Sequence, residues 1–332
     1  MARDKNNHIE FGDFQTPRSL ARDVCSVIAQ TGFSPASIIE PSCGRGAFLV
    51  AAVETFPGAS HFLGVDQDAA YVREATCATN SIRNDRHVEI LVGDFFDMDW
   101  ANIVTGLPTP ILVLGNPPWV TNATLGSLGS TNLPVKTNED HLRGIDALMG
   151  KSNFDISEWM LRKNVQWLAD MPGMLAVLCK TAVARKVLSY VWSQGFPVAF
   201  AEMRRIDARL HFGASVDACL LIVRFEPGAK STECSDYGSL RAVNPDAVFG
   251  LRDGGLVANV RLYDRWRPLL GRGLSGWRSG IKHDCSDVFE LVQKGGKLEN
   301  GMGACVDVED EVLFPLLKSS DLARRRDPRK WL

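Results

Sequence analysis

The sequence predicts an α/β fold, with a mostly parallel sheet and helices on both of its faces. Over the first two-thirds of the 332 residues, short apolar runs alternate with segments whose apolar residues have helical spacing. Several apolar runs end on a polar residue, as expected where the carboxyl ends of parallel strands meet at one edge. A chain of this length with 45% hydrophobic residues can bury a large core, and its length suggests two domains.

The elements are expected in the following order along the chain. Helical periodicity, with Pro17 at the start of the first helix, predicts helices at residues 18–30, 46–55, 69–78, 156–169 and 183–193. Apolar runs predict seven strands at residues 36–40, 61–66, 87–94, 111–116, 173–180, 197–203 and 217–225.

A domain boundary is expected within residues 226–246, which are rich in Gly, Ser, Pro and acidic residues and show no periodicity. We therefore predict a catalytic domain at 1–228 and a smaller region at 229–332. The chain ends on the apolar pair Trp331-Leu332, as if a strand were starting. This suggests a fragment or a split polypeptide, with a natural terminus as the alternative.

Composition limits the location and the partners of the chain. The net charge is −2, so any nucleic-acid surface must be local. The first ten residues are polar and charged, and no apolar run approaches the roughly 18 residues that span a bilayer, so a cytoplasmic protein is expected. The eight cysteines are scattered without a CxxC pair, which favours free thiols over disulfides or a metal site.

The segment "LVLGNPPWVTN", at residues 112–122, carries the clearest signal. Pro117 and Pro118 cannot donate to a β ladder, so they must end the preceding strand. A long polar stretch follows at residues 121–153, and a loop of that length is either functional or disordered. Because the strand ends there, Asn116 to Trp119 lie at the carboxyl edge of the sheet, where ligands bind in open α/β folds.

Three further strand ends carry polar motifs: "EPSCGRGAF" at residues 40–48, Asp66, and "GDFFD" at residues 93–97. A glycine-rich turn before a helix lets a ligand approach backbone N–H groups, and an acid after the next strand is the usual ligand of a ribose diol. The turn lacks the third glycine of a dinucleotide fingerprint.

Together with "FQTP" at residues 14–17, the ordered motifs resemble those of the γ-class S-adenosylmethionine-dependent N6-adenine DNA methyltransferases of restriction–modification systems. The resemblance covers about residues 11–225 and implies a Rossmann-like class I methyltransferase sheet with a smaller C-terminal target-recognition-like domain. The implied cofactor is S-adenosylmethionine, and no metal is expected. The implied cofactor-binding residues are Thr16, Glu40, Pro41, Ser42, Gly44, Gly46, Asp66, Asp94, Phe95 and Asn116.

Specific cofactor contacts follow from the same resemblance. Thr16, Glu40 and the glycine turn would surround the methionine moiety. Asp66 would bind the ribose hydroxyls, Asp94 would accept from the adenine amino group, and Phe95 would lie against the adenine ring.

Amine chemistry explains the catalytic motif Asn116, Pro117, Pro118 and Trp119. The lone pair of an exocyclic amine is conjugated into the base, so the amine is a poor nucleophile. If Asn116 Oδ1 and the Pro117 carbonyl both accept from it, the nitrogen moves towards sp3 and its lone pair faces the methyl donor. Trp119 offers a flat face to a flipped base, and the resemblance implies Phe212 as the second stacking aromatic, with His211 as the competing candidate.

The last third of the chain holds basic residues interleaved with Trp266 and Trp277. The residues expected to meet DNA phosphates are Arg265, Arg267, Arg272, Arg278 and Lys282. The alternative is a solvated face over a small core.

The predicted reaction is methylation of adenine N6 in a specific double-stranded DNA sequence. N4-cytosine methylation uses the same motif chemistry and is the nearest competing reaction. The sequence also leaves open methylation of RNA or of a protein glutamine, and a catalytically silent DNA-binding module. The expected partners are double-stranded DNA and either a separate restriction endonuclease or a missing C-terminal segment.

Overall fold

The computed structural model of the chain describes residues 14–82, 84–120, 155–270 and 284–332. The strands of its main sheet are β1 (Ser37–Glu40), β2 (His61–Asp66), β3 (His87–Val92), β4 (Ile111–Gly115), β5 (Gly173–Lys180), β6 (Val198–Ile206), β7 (Ala218–Phe225), β8 (Glu233–Tyr237), β9 (Ala247–Arg252) and β10 (Gly255–Val257). The helices that accompany these strands are α1 (Arg18–Gln30), α2 (Ala47–Thr55), α3 (Ala69–Asn80), α4 (Trp100–Thr105), α5 (Ile156–Trp167), α6 (Thr181–Ser193), α7 (Ala208–Phe212) and α8 (Val260–Trp266).

The ten strands form one sheet in the order β10-β9-β8-β6-β7-β5-β4-β1-β2-β3. Strands β1 to β5 pair in parallel, and β7 runs antiparallel between β5 and β6. The prediction of an α/β fold with a large, mostly parallel sheet is confirmed. Because β1, β2 and β4 are parallel neighbours, the residues that follow them meet at one edge.

Side-chain alternation along the central strands fills a core on each face of the sheet. On β4, Ile111 and Val113 join the core formed with α5 and α6, whereas Leu112 and Leu114 join the core formed with α1 and α2. All four side chains are fully buried. This explains why β4 has a continuous apolar sequence, as strands buried on both faces do.

The sheet continues beyond the seven predicted strands, and the structure divides elsewhere than at residue 228. Strand β8 lies within the segment expected to be a boundary and pairs in parallel with β6, and β9 and β10 extend the sheet further. The two compact units are Met1–Arg267 and Pro268–Leu332. The predicted boundary at 228/229 is therefore too early. Only Cys234 and Tyr237 of β8 are buried, so its sequence carries little apolar alternation.

The second unit consists of short elements. They are α9 (Ser286–Phe289), β11 (Val292–Lys294), β12 (Lys297–Glu299), β13 (Cys305–Val306), β14 (Pro315–Leu316), α10 (Ser319–Ala323) and β15 (Lys330–Trp331). Strands β11, β12 and β13 form one antiparallel sheet, and β14 pairs with β15. The buried Glu290 carboxylate accepts from Lys318 Nζ at 2.6 Å and Lys330 Nζ at 2.8 Å. Trp331, the penultimate residue, lies in β15 and pairs with Pro315 of β14 in a two-stranded sheet.

Within the described residues, no helix combines the length and the apolar character that crossing a membrane requires.

Gly46, which precedes α2, has a φ of 77°, and a Cβ built there would lie 2.8 Å from Ala75 Cβ on α3. Gly46→Ala should lower the free energy of unfolding by about 2–5 kcal/mol, from left-handed strain of about 1–2 kcal/mol and overpacking of about 1–3 kcal/mol. Gly195→Ala is the matched control, because its φ is 72° and nothing lies within 4 Å. Urea unfolding measures the free energy of unfolding of both variants. Equal losses would show that contact with Ala75 contributes nothing to the effect of Gly46→Ala.

Candidate functional site

A cavity of about 540 Å³ opens at the carboxyl edge of the sheet, beyond the ends of β1, β2, β3 and β4. This volume is typical of small-molecule sites. Of the residues predicted to bind a cofactor, all except Gly46 line it: Thr16, Glu40, Pro41, Ser42, Gly44, Asp66, Asp94, Phe95 and Asn116. Motifs spread over a hundred residues of sequence therefore surround one cavity.

Glu40, the last residue of β1, is a buried carboxyl in the wall of the cavity. Its Oε2 accepts from the Leu49 N–H of α2 at 3.1 Å. Burial raises the pKa of the Glu40 carboxyl well above its usual range; the Leu49 N–H opposes this rise, and the nearby Asp66 carboxylate adds to it. A cationic ligand beside Glu40 would favour the ionised form.

Asp66, the last residue of β2, orders the turn that follows β1. Its Oδ2 accepts from Gly44 N–H at 2.8 Å, and its Oδ1 accepts from Asp68 N–H at 2.9 Å. Asp66 also lines the cavity, so its carboxylate both ties the turn and offers an acceptor to a ligand hydroxyl.

Gln15 brings the "FQTP" segment to the same turn. Its Oε1 accepts from Arg45 N–H at 3.2 Å, and both Gln15 and Thr16 line the cavity. The Arg45 guanidinium lies 5.2 Å from the centroid of the Tyr71 ring, and Tyr71 is also a lining residue. The segment before α1 therefore forms a wall of the cavity.

An aromatic cluster supports the part of the cavity that follows β3. Phe95 is buried, with its ring centroid 5.4 Å from that of Trp100 and 5.7 Å from that of Trp167. The Trp100 indole N–H donates to the Phe95 carbonyl at 2.8 Å. Asp94 Oδ1 accepts from Phe96 N–H at 2.8 Å, so the Asp94 side chain fixes the backbone of the loop that carries Phe95.

Asn116 follows β4 directly and is held by one half of its amide. Its Nδ2 donates to the Phe14 carbonyl at 3.2 Å. Its Oδ1 is buried, and no donor reaches that oxygen among residues 14–82, 84–120, 155–270 and 284–332. A buried acceptor without a donor is costly in a native protein and is often a sign of function. Asn116 and Pro118 line the cavity, whereas Pro117 and Trp119 do not.

Trp119 and Phe212 lie together, and Phe14 joins them. The Trp119 and Phe212 ring centroids are 5.2 Å apart at an interplanar angle of 75°. The Phe14 centroid is 5.9 Å from Trp119 and 6.0 Å from Phe212. A base stacked between two rings needs about 7 Å between them, twice the carbon–carbon contact distance. In this arrangement the rings touch edge to face, so a base enters only if they part. The ring of His211, the competing candidate, lies 6.2 Å from Phe212.

Gly46 differs from its prediction as a cofactor-binding residue, because it packs against Ala75 of α3 and does not line the cavity. The close approach to Ala75 explains why residue 46 is a glycine.

The structure describes two of the five residues predicted to meet DNA. Arg265 is exposed on α8, with its guanidinium 4.9 Å from the Trp266 ring centroid. Arg267 pairs with Asp253 at 2.7 Å, and both side chains are about half exposed. Both arginines belong to the first compact unit. Arg272, Arg278 and Lys282 lie outside the described residues.

Sequence reasoning missed the lining residues Ile156 and Met160 of α5. The sequence identified them only as part of a helix at residues 156–169, and both are buried in the core as well. Val120, directly after the "NPPW" motif, is a further lining residue. Only the packing of α5 beside the cavity distinguishes these side chains from ordinary core residues.

Comparison with known proteins identifies relatives. No family model matches the chain. It is 40% identical over 319 residues to the type II methyltransferase M.NspV of Nostoc sp. (strain ATCC 29411 / PCC 7524), covering 96% of this chain and 66% of that protein. It is 32% identical over 121 residues to the type II methyltransferase M.CvrRI of Paramecium bursaria Chlorella virus XZ-6E, covering 36% of this chain and 27% of that protein.

The chain thus spans just under two thirds of M.NspV and about a quarter of M.CvrRI. Among solved structures, the chain resembles the M protein of the type I restriction enzyme EcoKI with a TM-score of 0.46 and 15% identity, over 68% of this chain and 48% of that chain.

The raised pKa of Glu40 predicts a pH-dependent effect of Glu40→Gln. Below the ordinary pKa of about 4.3, the carboxyl is neutral in the folded and unfolded chains. As the pH rises towards the folded pKa, the unfolded chain loses this proton first, so the wild type loses stability that the variant keeps. Urea unfolding without cofactor should show the variant gaining on the wild type as the pH rises above about 4.3. A difference that stays constant with pH would contradict the prediction.

Proposed function

We propose that this chain, which belongs to the family of the type II methyltransferases, transfers a methyl group from S-adenosylmethionine to the exocyclic N6 amine of adenine in a specific double-stranded DNA sequence. One observation carries the choice of an amine acceptor. Asn116 Oδ1 is a buried acceptor with no donor in the described part of the chain, and Asn116 lines a cavity of cofactor size. An amine N–H would satisfy it.

The donors and acceptors around the cavity fit S-adenosylmethionine. Asp66 lines the cavity as an acceptor for the ribose hydroxyls, and Asp94 and Phe95 offer an acceptor and an apolar ring face to the adenine. Glu40, Pro41, Ser42 and Gly44, with Thr16, would surround the methionine moiety. When bound, the cofactor supplies an electrophilic methyl group. The Glu40 carboxylate suits its positive charge.

The "NPPW" segment activates the acceptor in this proposal. Asn116 Oδ1 and the Pro117 carbonyl accept from the two N–H bonds of the amine, so the nitrogen lone pair leaves the ring π system. The Nδ2 donation to Phe14 fixes which end of the Asn116 amide faces the acceptor. The fixed φ of the two prolines holds the second acceptor in place. Such preorganised acceptors contribute several kcal/mol to transition-state stabilisation, roughly 3–4 for one well-placed group.

Trp119 and Phe212 hold the flipped base in this proposal. Their rings now contact each other and Phe14, so an apolar, aromatic surface is ready beside Asn116. A base that leaves the duplex would replace the contact between Trp119 and Phe212 with stacking on both rings.

Duplex binding is assigned to the part of the chain from α8 (Val260–Trp266) onwards. Arg265 and Arg267 are exposed cations that DNA phosphates would attract. The Arg267–Asp253 pair does not prevent this, because a surface ion pair contributes little and exchanges readily. A separate restriction endonuclease would be the other component of the system in this proposal. Methylation of adenine N6 would place a modification in the major groove of the recognised duplex, and this modification would protect that DNA.

The test uses the purified chain, methyl-labelled S-adenosylmethionine and unmethylated bacterial genomic DNA, with digested nucleosides resolved by mass spectrometry. Label should appear in N6-methyladenine, and Asn116→Ala should reduce it at least about 100-fold. Asn102→Ala, at an exposed asparagine of α4, is the matched control and should keep full activity.

Two outcomes contradict the proposal. Label in N4-methylcytosine would keep the amine chemistry and change the base. An absence of label, with cofactor binding intact, would point to RNA, a protein glutamine or a silent binding module.

Phe212→Leu should slow methyl transfer by roughly 5- to 100-fold, because base–aromatic stacking contributes about 1–3 kcal/mol per base. Phe196→Leu is the control: its ring packs edge to face on Tyr190, 5.7 Å between centroids, away from the site. Single-turnover kinetics measure both variants. A Phe212→Leu rate equal to that of the control would remove Phe212 from the base pocket.

A further inference from the structure

Strand β5 extends beyond the end of its neighbour β4. The last paired residues are Gly115 of β4 and Val177 of β5, and β5 continues to Lys180. The chain after β4 contains Pro117 and Pro118, which have no N–H to donate to β5. The "NPPW" segment therefore lacks a backbone ladder to β5, and side-chain hydrogen bonds must hold it there.

Two groups meet that need at Trp119. The Trp119 indole N–H donates to the Leu178 carbonyl of β5 at 3.4 Å. Lys180 Nζ donates to the Trp119 carbonyl at 3.1 Å. The ring and the backbone of Trp119 are thus both bonded to the end of β5, and the Trp119 side chain is 6% exposed.

Lys180 has a second partner at the start of α5. Its Nζ lies 2.7 Å from Asp155 Oδ2, and the two side chains are 23% and 7% exposed. The other oxygen of Asp155 caps α5 by accepting from the Ser157 N–H at 3.0 Å and the Ser157 hydroxyl at 2.5 Å. A lysine provides three donors on a long stem, which is what a carbonyl and a carboxylate on different segments require.

The backbone makes the same connection. Ile156 N–H donates to the Val120 carbonyl at 3.0 Å, so the residue after the motif meets the start of α5. Helix α5 carries Ile156 and Met160, which line the cavity. Lys180 therefore joins the end of β5, the "NPPW" segment and the helix that forms one wall of the cavity.

We propose that Lys180 is a positioning residue of the target-base site: its ammonium group fixes the Trp119 carbonyl against Asp155 and thereby holds the Trp119 ring and the Asn116–Trp119 segment in place at the end of β5. It does not line the cavity. The inference rests on the proposed function for its effect on rate, whereas its effect on Trp119 is independent of the substrate.

The experiment compares the full chain with Lys180→Met, which keeps most of the side-chain volume and removes the donors, and with Lys180→Arg, which keeps the charge and donors. The first readout is hydrogen exchange of the Trp119 indole N–H, followed by NMR on indole-labelled protein and assigned with Trp119→Phe. The second readout is single-turnover methyl transfer to DNA, alongside the dissociation constant of S-adenosylmethionine.

Lys180→Met should accelerate exchange of the Trp119 indole about tenfold or more and slow methyl transfer by about the same factor, the effect expected for a hydrogen bond from a charged group. Cofactor affinity should change less than about twofold, because Lys180 is not a lining residue. Lys180→Arg should recover part of both losses. Lys186→Met is the matched control: it removes a lysine paired at 2.9 Å with the buried Glu158 and should leave Trp119 unchanged.

Lys180→Met also leaves the Asp155 carboxylate without its cation, which is destabilising in a buried site. The double variant Lys180→Met/Asp155→Asn removes that charge and keeps a side chain that caps a helix. It should regain thermal stability while its Trp119 exchange and transfer rate stay impaired.

Unchanged indole exchange in Lys180→Met, or recovery of exchange and rate by the double variant, would overturn the positioning role. If the wild type does not methylate DNA, the proposed function fails, and the indole exchange alone decides the role of Lys180.

Discussion

The geometry of the site depends on two carboxylates that accept backbone N–H groups of the segment after β1. Glu40 accepts from Leu49 and Asp66 accepts from Gly44, so the turn and the first turn of α2 are tied to the ends of two parallel strands. Backbone N–H groups in a buried turn must be satisfied, and here the acceptors also face the cavity. The same two side chains therefore hold the turn and line the cavity, which couples the stability of the turn to the charge of what binds there.

Most of the central fold was predictable because its elements have simple patterns. Helix α1 and strands β2 and β5 begin and end where the apolar spacing predicts. The prediction missed α4 and α7, with six and five residues, because so few residues establish no helical period. It also missed β8 to β10, whose buried positions are few. Pairing with β6 stabilises β8, and such a long-range contact leaves little mark on the local sequence.

The site was partly predictable for a topological reason. In a parallel sheet, the motifs after β1, β2, β3 and β4 must reach one edge, so the strand ends together identify the residues around the cavity. What strand ends do not predict is the orientation of rings and helices. The edge-to-face contact of Trp119 with Phe212, and the placement of Met160 in the cavity wall, follow from packing between segments that are far apart in sequence. Likewise, Gly46 lies within a ligand-type motif yet serves the contact between α2 and α3.

Extension of the sheet from seven strands to ten has a consequence for association between molecules. Strand β6 would otherwise present its nine residues at the sheet edge, and β8 pairs with three of them, residues 202–204. The new edge, β10, has only three residues, and the opposite edge, β3, exposes His87 and Glu89. Short or charged edge strands pair poorly with other chains. The three added strands thus protect a large open sheet against edge-to-edge aggregation, independently of any part they play in binding DNA.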